Sequence, residues 1–257
     1  MKKKLPKISI ITPSFNQGQF IEETIQSVLS QKYPNLEYWV IDGGSTDNTL
    51  QILKKYEKKI HWLSEKDNGQ TDAINKGLQK CTGEIIGYLN SDDLYTPGTL
   101  QTVGQYFLSH PTAMWLTGNY LIIDENGTII QSFVVWYKEL LRHFPSSTVL
   151  AVANFISQPS TFWRKEAVTQ AGLFDTALQY CMDYEYWMRL YQNYSLVVLP
   201  NTFSKFRIHK QSKGGSRFTE QFLEEQKVVE RYFSNKLILL LHKLHASAIV
   251  LAYKVLK

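Results

Sequence analysis

Ile85-Ile86-Gly87-Tyr88-Leu89-Asn90-Ser91-Asp92-Asp93 is a short apolar run that stops at two adjacent carboxylates. Like charges side by side repel and raise each other's pKa, so such an ending calls for solvent, a basic partner, a helix N-terminus or a divalent cation. One reading is a strand entering a solvated turn whose aspartates cap the next helix, since Asx residues are common in turns. The other is a buried strand whose end holds a metal. The neighbouring segments favour the second.

Upstream, Lys7-Ile8-Ser9-Ile10-Ile11-Thr12 is a β-branched run halted by Pro13, and the polar loop from Ser14 to Gln19 follows it. Ile21, Ile25, Val28 and Leu29 then recur at helical spacing. Tyr38-Trp39-Val40-Ile41 repeats the strand signal and ends at Asp42-Gly43-Gly44, before a helix through Leu50, Leu53 and Tyr56. Ile60-His61-Trp62-Leu63-Ser64 is a third strand, followed by Glu65 to Gln70 and a helix through Ala73, Ile74, Gly77 and Leu78. The opening stretch is the fourth strand, and Thr96 and Pro97 are expected to cap and start the next helix.

Strands and helices alternating in this way predict right-handed βαβ units and a parallel sheet, hence an α/β fold. Ligands of such sheets bind beyond the carboxyl ends of the strands, where these loops converge.

At 257 residues the chain is long enough for one sizeable core, and 44% hydrophobic with 20% charged residues describes a globular protein. The net charge of +5 comes mostly from Lys2, Lys3 and Lys4 and from basic residues after Lys205. This is not the basic stripe of a nucleic-acid reader. Two cysteines, Cys81 and Cys181, in no metal or disulfide spacing, fit a reducing cytoplasm, and no export signal is visible.

Beyond Pro111 the pattern becomes mixed. A strand at Trp115 leads to a hairpin turned at Asp124-Glu125-Asn126-Gly127. Residues 155–163 read as extended chain, 164–170 as a short helix, and 183–190 as an amphipathic helix opened by Asp183; residues 195–199 and 203–208 read as two strands. Residues 235–256 carry a leucine-rich helical pattern interrupted by His242, Lys243 and His245, so it is not a membrane span. Its lysine fringe allows a helix lying on an anionic membrane face, while packing on the domain or on another subunit is the stronger expectation. His242 and His245 are expected at the surface.

Taken in order, Ile10-Ile11-Thr12-Pro13-Ser14-Phe15-Asn16, Val40-Ile41-Asp42-Gly43-Gly44-Ser45-Thr46-Asp47, Asn75-Lys76-Gly77, Leu89-Asn90-Ser91-Asp92-Asp93 and Asp183-Tyr184-Glu185-Tyr186-Trp187-Met188-Arg189 resemble the inverting family 2 glycosyltransferases. The resemblance runs from about Lys7 to about Gly215 and implies a GT-A fold, a mixed sheet flanked by helices with a C-terminal helical appendage. It implies a transferase domain over residues 1–232, with a nucleotide-sugar half at 1–110 and an acceptor and catalytic half at 111–232, and an amphipathic helix at 233–257.

The resemblance also implies roles. Thr12, Pro13, Ser14 and Asn16 line the base, and Asp42 accepts a hydrogen bond from it, which suits uracil. Asp67 and Asn68 face the nucleotide. Asn90-Ser91-Asp92 matches an Asp-x-Asp motif whose first acid is Asn, which places Asn90 and Ser91 at the ribose and Asp92 on Mn²⁺ or Mg²⁺. Asp93 is either a water-mediated ligand or a cap. His209 falls where relatives place a late metal or phosphate ligand, and Asp183 matches the general base. The pattern departs at Ile74, where relatives often carry Arg, and at Met182, where many carry a second acid.

The implied enzyme is a hexosyl- or N-acetylhexosaminyl-transferase moving one sugar from a UDP-sugar to a glycan or lipid-linked acceptor, at the cytoplasmic side of a membrane, in surface polysaccharide assembly. A non-catalytic nucleotide-sugar-binding protein is the alternative. A sugar-nucleotide pyrophosphorylase is weaker still, because Pro13-Ser14-Phe15-Asn16 is not a Gly-rich phosphate loop.

Overall fold

The computed structural model describes residues 4–210, 212 and 218–255. Residues 213–216, where the resemblance ends, lie outside them, as do Lys2, Lys3 and Lys257.

β1 (Ile8–Ser14), α1 (Ile21–Leu29), β2 (Leu36–Asp42), α2 (Thr49–Tyr56), β3 (His61–Ser64), α3 (Gln70–Lys80) and β4 (Ile85–Tyr88) alternate as the sequence predicts. β5 (Leu94–Tyr95), α4 (Thr99–Ser109), β6 (Trp115–Ile123), β7 (Ile129–Ile130), α5 (Ser132–Arg142) and α6 (Ser147–Val152) follow. A 3-10 turn (Gln158–Ser160), β8 (Thr161–Arg164), α7 (Lys165–Ala171), α8 (Met182–Tyr191), β9 (Val197–Arg207), α9 (Phe218–Tyr232) and α10 (Lys236–Val255) complete the described chain.

The sheet order is β3-β2-β1-β4-β8-β6-β9-β5, with β7 paired to β6. β3, β2, β1 and β4 are parallel; β8 runs antiparallel to β4 and β6, which makes the sheet mixed. Both faces are covered. Ile11 and Ile41 enter one core with α3 and α8, while Ile10 and Val40 enter the other with α1, α2 and α4. Two-sided burial is why these strands read as continuous apolar runs.

Several expectations are corrected. β1 runs through Pro13 to Ser14, since the ladder with β4 ends at the Ile11–Tyr88 pair and the missing Pro13 N–H deprives no partner. The helix expected from Thr96 starts at Thr99, because Thr96 is committed to β9: its N–H donates to Phe203 O and its Oγ1 to Thr202 O. The two late strands are one, β9, interrupted only by register shifts against β6 around Pro200, which has no N–H to give. Only residues 161–164 of the extended stretch are strand.

α8 is not amphipathic. It begins at Met182, with Cys181 as N-cap, and buries Tyr184, Tyr186, Trp187, Met188 and Leu190. Trp187 stacks on Trp115 at 5.7 Å and Tyr186 on Phe174 at 4.1 Å between ring centroids. A helix apolar nearly all round belongs in an interior.

α9 and α10 close over α8 and α6, with Val228 and Val229 buried and Ile238 and Leu239 packed on the same core. His242 is therefore buried rather than at the surface, its Nδ1 2.8 Å from Ala151 O. That carbonyl lies in the last turn of α6 and has no partner within the helix. His245 is half-buried against Tyr137 of α5, with Nε2 2.9 Å from the phenol oxygen. Burial pushes both imidazoles below the usual histidine range. Among the described residues no helix is long and apolar enough to cross a membrane.

Candidate donor and catalytic site

Register lines up the strand ends: Ser14 pairs with Asp42, and Asp42 with Ser64. The loops beyond them are tied together. Asn16, in the left-handed region at φ 52°, donates its N–H to Ser45 Oγ (2.7 Å) and accepts Thr46 N–H at Oδ1 (2.9 Å). Pro13 and Ser14 are buried at this edge, and the Ser14 hydroxyl has no partner. Such an orphan beside a ligand-binding edge is a donor in waiting.

Asp42 is fully buried and accepts from Gly44 N–H, Ser45 N–H, Ser45 Oγ and Ser64 Oγ at 2.5–3.1 Å. Three of these donors share Oδ2 and only the Ser45 hydroxyl meets Oδ1, so Oδ1 keeps an acceptor site for a further donor. Thr12 lies in the strand rather than the loop, fully buried, with Oγ1 3.0 Å from the Tyr38 hydroxyl, beneath the loop. Asp67 is half-buried, with its carboxylate where a Cβ on Gly43 would sit, and it accepts Gly69 N–H. Asn68 is exposed. A depression of ≈ 350 Å³ is lined by Asn16, Gln17, Gly18, Phe20, Asp47 and Asn48.

At the end of β4, Asn90 accepts from Gln70 Nε2 (2.7 Å) and donates to Asp93 and Gln158 (3.2 Å each). Ser91 is buried, and its carbonyl accepts the Thr24 hydroxyl. The two aspartates then part. Asp93 turns inward, fully buried, and accepts Arg207 N–H at 2.8 Å. Burial, then the charge of Asp92, pushes its pKa well above the usual carboxylate range. It is an anchor between β4 and β9, neither ligand nor helix cap. Asp92 turns outward, and its Oδ2 lies 3.0 Å from His209 Nε2.

Arg207 sets that split. Its side chain is 2% exposed, with Nε donating to Asp92 O (2.8 Å), Nη1 to Glu125 O (3.0 Å) and Nη2 to Glu23 Oε2 (2.6 Å). Phe20 packs between Arg207 and His209.

The opposite wall is the N-terminus of α8. Asp183 accepts Tyr184 N–H at Oδ1, and burial raises its pKa while Lys138 of α5 acts to lower it. The loop before α8 is held twice. Asn75 of α3 exchanges two hydrogen bonds of 2.9 Å with the Phe174 backbone. Glu224 of α9 accepts the N–H groups of Gln179, Tyr180 and Cys181 at 2.7–2.9 Å. Glu225 beside it is buried, with its pKa pushed up to about 7 by desolvation. Tyr88 lies between the two walls, and both Asp183 and Asp93 help hold its phenol protonated.

Asp92 and His209 thus meet, and the buried Tyr88 phenol feels the charges of both Asp183 and Asp93. Among the described residues no three His, Cys, Asp or Glu side chains converge. An anchored carboxylate and imidazole 3.0 Å apart fit a divalent cation that takes its remaining ligands from phosphate and water. Arg207, Glu224, Lys138 and Gln70 escaped sequence reading. Each acts through a partner far along the chain, and none stands in a local motif.

The fold and these strand-end loops define a GT-A nucleotide-sugar transferase domain. The family profile "Glycosyl transferase family 2" matches residues 9–170. An uncharacterized glycosyltransferase of Haemophilus influenzae is 30% identical over 249 residues, covering 90% of this chain and 76% of its own. The chain belongs to glycosyl transferase family 2.

TuaG of Bacillus subtilis, whose name assigns it to teichuronic acid biosynthesis, is 35% identical over 133 residues, 50% of this chain and 52% of its own. Staphylococcus aureus TarS 1-349, solved with UDP-GlcNAc, superposes with TM-score 0.69 at 21% identity over 88% of this chain and 66% of TarS. The Pyrobaculum calidifontis mannosyltransferase PcManGT, solved with GDP-Man and Mn²⁺, gives 0.73 at 18% over 98% and 76%. This chain spans about half the length of TuaG and two thirds of that TarS chain.

Proposed function

We propose that this domain transfers one sugar, with inversion, from a UDP-sugar to a glycan or lipid-linked acceptor in surface polysaccharide assembly, working at the cytoplasmic face of a membrane. The observation that carries the reading is the Asp92–His209 pair, 3.0 Å apart, with Asp92 partly exposed beyond the end of β4, together with Asp183 at the start of α8. The TarS complex with UDP-GlcNAc and the naming of TuaG support the donor and pathway class.

In this reading Ser14, Asn16, Asp67 and Asn68 border the base, with Asp42 holding the turn beneath it. Asn90, through Gln70, and the Ser91 backbone border the ribose. Asp92 and His209 would hold Mn²⁺ or Mg²⁺. That cation, when bound, neutralises the charge growing on the departing diphosphate. Asp183 takes the proton from the acceptor hydroxyl as it attacks the anomeric carbon. Burial raises its pKa and so strengthens it as a base, while Lys138 acts in the opposite sense. The division at residue 232 belongs to the same proposal, with α10 as an appendage packed on α6 through Ile238, Leu239 and His242.

Asp183→Asn is the test. A positioned base is worth roughly 10²- to 10⁴-fold in rate. Turnover of UDP-GlcNAc should fall by that factor, while UDP and Mn²⁺ raise the melting temperature as in the parent. Equal loss of donor affinity would overthrow the role of Asp183, and no stabilisation of the parent by UDP with metal would overthrow the reading as a whole.

A further inference from the structure

α5 carries Phe133, Trp136 and Leu140 on one exposed face, at helical spacing, with Phe133 74% exposed, and Phe144, 69% exposed, follows just beyond its end. α10 does the same with Leu237, Leu240, Leu241, Leu244 and Leu251. The two helices meet where Tyr137 stacks on His245, ring centroids 5.9 Å apart and hydrogen-bonded. These residues adjoin the two stripes on their facing sides, which makes one apolar surface from elements far apart in sequence. Exposed apolar surface of this extent marks an interaction site rather than scattered surface residues.

Charge decides the occupant. The exposed Lys236 and Lys243 flank the α10 stripe, and residues 231–257 contain no Asp or Glu. The α10 stripe is acid-free and lysine-edged, the aromatic α5 face beside it carries the single exposed acid Glu139, and the balance is complementary to anionic lipid headgroups over acyl chains. Two copies packed face to face would instead bring lysine edge to lysine edge, with no carboxylate on α10 to answer them.

We infer that α5 and α10 together form a docking surface for an anionic lipid bilayer. α5 has two duties: its outer face meets lipid, and its inner face sends Lys138 toward Asp183 and Glu225. The base then stands one helix thickness from the membrane, where a lipid-anchored acceptor presents its hydroxyl. This last step rests on Asp183 being the base; the docking surface does not.

Co-sedimentation with vesicles tests it. The protein should partition onto phosphatidylglycerol-containing vesicles more than about tenfold better than onto pure phosphatidylcholine, since each surface lysine contributes about 1 kcal/mol near an anionic leaflet. The double variant Phe133→Ser, Trp136→Ser should lose at least about tenfold in that partition, and Lys236→Glu with Lys243→Glu should abolish the lipid preference. Both variants change exposed side chains, and stabilisation by UDP with Mn²⁺, read on the same samples, reports the donor site separately. Equal binding to both vesicle types, no binding, or a solution dimer that the aromatic variant dissociates would each overturn the docking surface.

Discussion

Replacing Arg207 by Met keeps a long side chain at a site only 2% exposed but removes every donor. The ion pair with Glu23 contributes little, because that carboxylate is 60% exposed and returns to water. The carbonyls of half-buried Asp92 and exposed Glu125 lose a charged donor, worth at most about 1.5–3 kcal/mol each. Met recovers part of this through apolar contact with Phe20. The net loss should be about 2–4 kcal/mol, which in a domain of this size lowers Tm by roughly 4–16 °C.

Urea and thermal unfolding measure the loss, with an unchanged urea slope showing that the folded state stays compact. The shift in Tm caused by Mn²⁺ with UDP should shrink further, because the anchor that aims Asp92 at His209 has gone. A variant that loses under about 1 kcal/mol and keeps the full metal response would refute the anchoring role.

Two other outcomes follow from buried carboxylates. Glu37 accepts from Lys7, Ser9 and Thr82, which hold its pKa at about 2 despite burial. A folded pKa below the unfolded one gives stability that is full above about pH 4.5 and is lost as pH falls toward 2. With Lys7 a third exposed, the loss should be roughly 2 kcal/mol by urea unfolding, and Glu37→Gln should flatten that slope. Glu224→Gln keeps one acceptor oxygen for three N–H groups. Stability should fall by about 1–2 kcal/mol, and kcat severalfold with donor KM unchanged, because the variant loosens the start of α8 and leaves the donor loops alone.

The first half of the molecule was legible because its information is local. Strand, loop and helix alternate with their own turn residues, and parallel pairing follows from them. Even there Thr12 misled, since a hydroxyl at the end of an apolar run reads equally well as loop or as core. In the second half, structure depends on partners remote in sequence. β5 exists because β9 passes beside it, and α4 starts late because Thr96 is already bonded to that strand. His242 looked exposed because nothing near it in sequence announces the open carbonyl of Ala151. Asp92 and Asp93 are indistinguishable as letters, and Arg207, more than a hundred residues on, separates them.

The bonds that lock Asn16 to Ser45 and Thr46 have a thermodynamic consequence. Two loops fastened to each other in the ligand-free protein have already given up their conformational freedom during folding. A nucleotide settling on them therefore meets a floor that needs little further ordering, so its binding entropy carries a small conformational penalty on that side.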